Sequence, residues 1–264
     1  MNVHRAQGYV AALLLLIVPL SCSALPRPEG GEGMAPPGTF ASPSERPRTY
    51  PWHTDILAAT FWVGEVLNPH APDGSQRVSA YDSQWIERYG GCDGVWIGQE
   101  CHTEQRYEED GWWPRHMEPR MNPFYLDLPF DDVNNDRAFE MRGEVIPWAN
   151  DPGYAEQVES RAFSLMKNRW VEIRHAGRTC YGQIADAGPG VYDDAAYVFG
   201  VDDRRPANRK FRGAGMDVSP ALNGCLDLAG LDQLISRVDW RFVEAEDVPE
   251  GPWTRIVDDD PWVH

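Results

Sequence analysis

Positive charge is scarce in this chain. Its 264 residues hold 24 Lys and Arg against 41 Asp and Glu, 24 − 41 = −17. Nucleic-acid binding needs cations to neutralise phosphates, so neither a nucleic acid nor an anionic lipid surface is an expected partner. Long apolar runs are also missing after the first 24 residues, which excludes a membrane-spanning helix and predicts a soluble, monomeric mature chain. His-Glu-x-x-His, Gly-x-Ser-x-Gly and a phosphate loop do not occur, so zinc protease, serine hydrolase and nucleotide-binding chemistry have no support. His102, His116 and His175 stand singly, and no metal or other cofactor is expected. No internal repeat is present.

Met1 to Ala24 has Arg5 ahead of the apolar run Val10 to Leu20 and ends Cys22-Ser23-Ala24, the pattern of a cleaved export signal. Lipidation at Cys22 is disfavoured, because Pro19-Leu20-Ser21 is a poor lead-in. A secreted or periplasmic location follows. Leu25 to Pro51, rich in Pro, Gly, Ser and Glu, cannot bury enough surface to offset its ordering entropy and reads as a tether. Residues 52–257 then form one domain, and 258–264, with Asp258-Asp259-Asp260, reads as a solvated acidic tail.

Cysteine is sparse but even once the signal is removed: Cys92, Cys101, Cys180 and Cys225. In an exported chain these read as two disulfides with three connectivities open, and the pairing preferred is Cys92 with Cys101 and Cys180 with Cys225. The spacings lack the Cys-x-x-Cys repeat of a zinc site.

The segment Arg169 to Val218 organises the rest. Trp170, Val171 and Ile173, then Tyr181 and Ile184, read as two strands around an Ala176-Gly177 turn, and Gly188-Pro189 closes the second. Asn122 to Asp132 contains alternating Phe124, Leu126 and Leu128 against Tyr125 and Asp127, a strand carrying Asp127 on one face. Val238 to Val243 alternates as a last strand. Helices are expected over Ser79 to Tyr89, where Ser79 and Asp82 suit a capping box, over Tyr154 to Lys167, and from Pro220 behind a Ser219 cap. Asp93, in Gly-Gly-Cys-Asp-Gly, suits a turn.

Two acid-bearing turns now stand out, Ala185-Asp186-Ala187-Gly188-Pro189 and Asp217-Val218-Ser219. Together they resemble the double-psi β-barrel group of rare lipoprotein A, expansins and family forty-five endoglucanases, in which an N-D-R-G-P turn precedes a D-L-S segment. Ala187 replaces the usual Arg and Val218 the usual Leu. The run from Asn122 to Asp132 is similar to stretches in uncharacterised exported proteins. The resemblance implies a mostly β fold, a six-stranded double-psi barrel with short helices, and it leaves an acidic, aromatic insertion at about 99–150. Thr60 to Glu65 resembles the first barrel strand.

The same resemblance implies glycan chemistry. Asp217 occupies the position of the group's proton donor, and its apolar neighbours Met216 and Val218 favour a raised pKa; the alternative is a turn carboxylate before Ser219. Asp186 matches the second carboxylate or braces a Gly-Pro turn, and Glu65 falls where the endoglucanase base lies or is a solvated rim acid. Trp112, Trp113, Tyr125 and Tyr192, with Asp127, are candidate substrate contacts, since sugar rings stack on aromatic faces. Cleavage of a neutral polysaccharide or peptidoglycan is the expected activity. A non-catalytic, expansin-like wall-binding or wall-loosening module is the competing expectation.

Overall fold

Among the described residues eight short segments are extended, several of them rich in β-branched and aromatic residues, and six of them close on one another. The computed structural model of the protein describes residues 48–67, 74–231 and 236–264. The barrel strands are β1 (His53–Thr60), β4 (Tyr125–Leu128), β5 (Trp170–His175), β6 (Arg178–Ala187), β7 (Met216–Val218) and β8 (Arg237–Val243). A separate ribbon pairs β2 (Val95–Ile97) with β3 (Glu100–His102). Around the closed barrel the order is β1-β7-β4-β6-β5-β8. β1 runs parallel to β7 and β4 parallel to β6, while the other neighbours are antiparallel. The fold is thus mostly β, and its mixed six-stranded closure is compatible with a double-psi barrel.

Side-chain alternation sorts the strands into two faces. Leu126 and Leu128 of β4, Met216 and Val218 of β7, and Val171, Ile173, Val238, Trp240 and Phe242 fill the main core. Tyr125 faces a second cluster with Phe61, Val63, Trp85, Ile86 and Tyr89. Asp127 and Asp217, next to core residues in their strands, therefore lie on the outward face.

Among the described residues four short helices decorate the barrel: α1 (Trp85–Tyr89), α2 (Asp136–Val145), α3 (Ala195–Val198) and α4 (Pro220–Leu226). α4 begins as its sequence predicts, with Pro220 in the first turn and the Ser219 hydroxyl accepting from the Leu222 amide at 3.2 Å. The disulfides are Cys92–Cys101 and Cys180–Cys225, the preferred pairing, and are compatible with an oxidising compartment.

The structure corrects several expectations. β1 ends at Thr60, beside Val218, so Thr60 to Glu65 is not the first strand. Gly64 at φ 94° takes the left-handed region, and the Glu65 amide donates back to the Trp62 carbonyl at 3.0 Å, turning the chain. The helix expected from Ser79 starts only at Trp85; before it, the Ser79 hydroxyl accepts from the Asp82 amide and Asp82 from the Gln84 amide. Tyr154 to Lys167 holds one 3-10 turn, Ala155–Gln157, and no longer helix. The reason is Arg142, which is fully buried and draws the carbonyls of Gln157, Val158, Ser160 and Phe163 onto its guanidinium.

Residues 99–150 are not wholly an insertion, because β4 is a barrel strand. The final residues are not a solvated tail. The Asp258 carboxylate accepts from the Asn122 amide, the Asp258 amide donates to the Gln183 side chain, and the backbone of Pro261, Val263 and His264 pairs with Ser164, Ala162 and Tyr81. The export signal and most of the tether lie outside the described residues. Of the tether, Arg48 pairs with Asp151 at 2.7 Å and Tyr50 is buried.

Candidate functional site

Strand register assembles the site. Asp127 lies opposite Asp186 across β4 and β6, and opposite Asp217 across β4 and β7. A shift of register between Leu126 and Asp127 brings Asp186, rather than its neighbour Ala185, into line. Three carboxylates, separated by 59 and 31 positions in sequence (186 − 127; 217 − 186), thus sit side by side.

Each is held differently. The Asp186 Oδ1 accepts from the amides of Ala80 and Ala187 at 2.7 and 2.8 Å. Asp127 Oδ1 accepts from the Asp217 amide at 2.9 Å. Asp217 is half-buried, and its Oδ1 is shielded from solvent without a hydrogen-bond partner. Gly188 follows from this packing. A Cβ there would stand 2.5 Å from Asp127 Oδ2, so any larger residue would displace the acid.

Among the described residues, no cation lies within ion-pair distance of these three aspartates. Burial, and then the charges of Asp217 and Asp186, holds Asp127 well above the usual carboxylate range. Burial and the neighbouring Asp186 push Asp217 up to about 7. Asp186 also rises to about 7 through burial, against the lowering effect of its two amide donors. Like charges this close resist joint ionisation, so the cluster retains protons near neutral pH.

The other sequence candidates fall elsewhere. Glu65 stands in the turn after β1, its carbonyl accepting from the Gln76 amide. Tyr125 offers no exposed face, because it is 2% exposed and its hydroxyl bridges the Val63 amide and Asp93 at 3.0 and 2.8 Å. Its role is to fix β4. Trp112 and Trp113 are half-buried against the core; Trp113 donates to the Pro252 carbonyl, and Trp112 packs by Gly224 of α4. Tyr192 is exposed, in the turn after Gly188-Pro189, and its carbonyl accepts from the Asp131 amide. It is the one aromatic candidate in the turn that leaves β6 after Asp186.

Asp93 does more than shape a turn: it is buried, paired with buried Arg106 at 2.6 Å and bound by Tyr125. Sequence reasoning missed this network and the Ala80 amide, since a backbone donor carries no residue signature. Among the described residues no group of three His, Cys, Asp or Glu could hold a metal ion. Three surface cavities, of about 430, 380 and 320 Å³, are lined by the β5–β6 turn, by Tyr50 with Glu172 and Arg241, and by Asp82 with Lys167 and Asp258. All three are away from Asp217.

The arrangement can donate a proton at neutral pH from a half-exposed carboxylic acid at the end of a row of three. That is the requirement of general-acid catalysis. Comparison of the chain with protein-family models, curated proteins and solved structures gives no match.

Proposed function

We propose that the protein is exported and cleaves glycosidic bonds in a cell-wall or extracellular polysaccharide, with Asp217 as the general acid. The observation that carries the reading is the row of three uncompensated aspartates on β6, β4 and β7. A glycosidic oxygen is a poor leaving group until protonated, and an acid with its pKa near 7 can protonate it at neutral pH. Asp217, half-buried and raised to about 7, suits that step. The carboxylate it leaves then takes the proton of the attacking hydroxyl, from water or from the sugar itself, and the acid is restored. Asp186, fixed by two amides, and Asp127 hold Asp217 and its charge state in place. The double-psi resemblance of the two acid turns supports the same assignment.

A non-catalytic, expansin-like glycan-binding module is the second reading. It is favoured by the place of Glu65 in the turn after β1, outside the strand row that carries the three aspartates, which leaves the base of a two-acid hydrolase unassigned. Incubation of the chain and its Asp217→Asn variant with insoluble peptidoglycan and cellulose separates the two. Soluble sugar ends, read by mass spectrometry, that vanish with Asp217→Asn support the enzyme, and anhydro ends identify a lytic reaction. Pelleting of the protein without release supports the binding module.

A further inference from the structure

The chain's charge is strongly negative, yet the segment leading into β7 reverses it. Residues 204–212 read Arg-Arg-Pro-Ala-Asn-Arg-Lys-Phe-Arg, which places Arg204, Arg205, Arg209, Lys210 and Arg212 within nine positions and no acid among them. Arg204 and Arg205 are spent on the chain itself, beside Asp202 at 3.8 Å and Asp203 at 2.5 Å. Arg209 and Lys210 are not: both are exposed, and among the described residues neither lies in an ion pair. Lone cations in a molecule with this excess of acid are not explained by internal charge balance.

The loop is built rather than loose. Asn208, 1% exposed, donates to the Ala214 carbonyl and accepts from the Lys210 amide, both at 2.9 Å, tying the two ends together. Between these ties Phe211, Arg212 and Gly213 have φ of 48°, 58° and 79°. Two consecutive non-glycine residues in the left-handed region are costly, and such conformations persist where the surroundings enforce them. Their effect is to leave Phe211 52% exposed alongside the cations, an apolar ring with no part in the core.

Topology puts this loop beside the aspartates. β7 runs antiparallel to β4, and β4 parallel to β6, so the start of β7 lies at the same barrel end as the exits of β4 and β6. The contact is direct. Asn208 packs on Gly190, where a Cβ would meet its Oδ1 at 2.8 Å, and Gly190 belongs to the turn between Asp186 and Tyr192. Asp217 follows Arg212 by five residues.

We propose that the 209–212 loop is a substrate-binding rim that reads a negative substituent, and that the polymer acted on at Asp217 is an anionic glycan. Arg209 and Lys210 pair with a carboxylate or phosphate on the chain, while Phe211 lies against the apolar face of a sugar ring. The inference rests on the glycan reading of the Asp217 site and replaces a neutral polymer with a charged one. The chain's net charge of −17 disfavours non-specific contact with an anionic polymer, so pairing depends on local clusters of cations such as this rim.

The test is pelleting of the inactive Asp217→Asn chain, with and without R209E/K210E, on insoluble peptidoglycan in three forms: native, stripped of phosphate-linked polymers, and with its carboxylates capped as neutral amides. Chitin is the neutral control, and Arg178→Glu, at the exposed start of β6, is the charge control. Sugar release by the chain with Asp217 intact is followed in parallel. We expect R209E/K210E to weaken binding about tenfold at low salt, with the difference shrinking as salt rises, and Arg178→Glu to leave it unchanged. Capping or stripping, whichever abolishes the difference, identifies the anion. Equal binding to native, capped and stripped polymer and to chitin, with R209E/K210E as good as its parent, overturns the charged rim while sugar release still stands for Asp217. Absence of both binding and release on every polymer overturns the rim and the glycan reading together.

Discussion

Asp127 and Asp132 are five residues apart, both buried, and treated in opposite ways by the fold. Asp132 accepts from the Ser164 hydroxyl at 2.6 Å and the Leu165 amide at 2.6 Å, and it faces the Arg142 guanidinium at 3.2 Å. Asp127 receives one amide and faces two more carboxylates. Burial raises both, but the partners of Asp132 bring it back to about 6, while the neighbours of Asp127 push it further up. The fold supplies Asp132 with a cation and donors; beside Asp217 it supplies amide donors but, among the described residues, no cation. Stored protons are the result, and a stored proton is what an acid catalyst needs.

The largest effect that tests this contrast is on chemistry. Asp217→Asn should lower glycan release by roughly 100-fold or more, the usual scale of a general acid, while its circular dichroism and melting temperature at pH 8 stay at or above those of the parent. A folded variant that keeps full activity would remove Asp217 from the mechanism.

Next comes the compensated acid. Arg142→Met leaves Asp132 uncompensated and also strips five carbonyls of their donor, so it should cost about 3–5 kcal/mol in urea unfolding. Asp127→Asn should cost far less at pH 8, because it removes a group the fold destabilises when charged. Equal losses for the two would dissolve the comparison.

Stability against pH follows from the same shifts. Asp186 and Asp217, at about 7 when folded, lie above an ordinary aspartate at about 4. Their contribution is therefore fully present below about pH 4 and is lost as pH rises through about 7, by up to roughly 1.4 kcal/mol per unit for each group. His53 has the opposite sign: burial lowers it to about 4, so its contribution is complete above about 6.5 and lost as pH falls toward 4. The melting temperature should decline from pH 5 to 8, and Asp127→Asn should flatten that decline. A melting temperature that climbs over this interval would contradict the stored-proton account.

The smallest effect is steric. Gly188→Ala places a methyl against Asp127 Oδ2 and should destabilise by about 1–3 kcal/mol, the range for overpacking. In the Asp127→Ala background the same methyl fits the space left, and the penalty should largely disappear.

Much of this was legible in the residues. The β5–β6 pair, β8 and the Ser219 cap follow from alternation and turn chemistry, and Asp186 and Asp217 were readable as a pair because both sit in acid turns of a resembling group. Helicity at 154–167 was misread because the spacing of Val158, Ala162 and Leu165 is helical, whereas the carbonyls there are claimed by an arginine from another element. Glu65 was misplaced because Gly64 turns the chain that the aromatic run suggested would continue. Tyr125 looked like a ligand contact for want of knowing that Asp93 and Val63 meet its hydroxyl.

By itself the sequence determined the segments of β4, β5, β6 and β8, the Ser219 cap and the two acid turns, because alternation, turn residues and caps act over a few neighbouring positions. Tertiary structure alone decided that Asp127 joins Asp186 and Asp217, that Asp132 receives Arg142, and that Ala80 lends its amide. Those pairings depend on strand register and on burial, and a carboxylate's pKa is set by what surrounds it rather than by what precedes it in the chain.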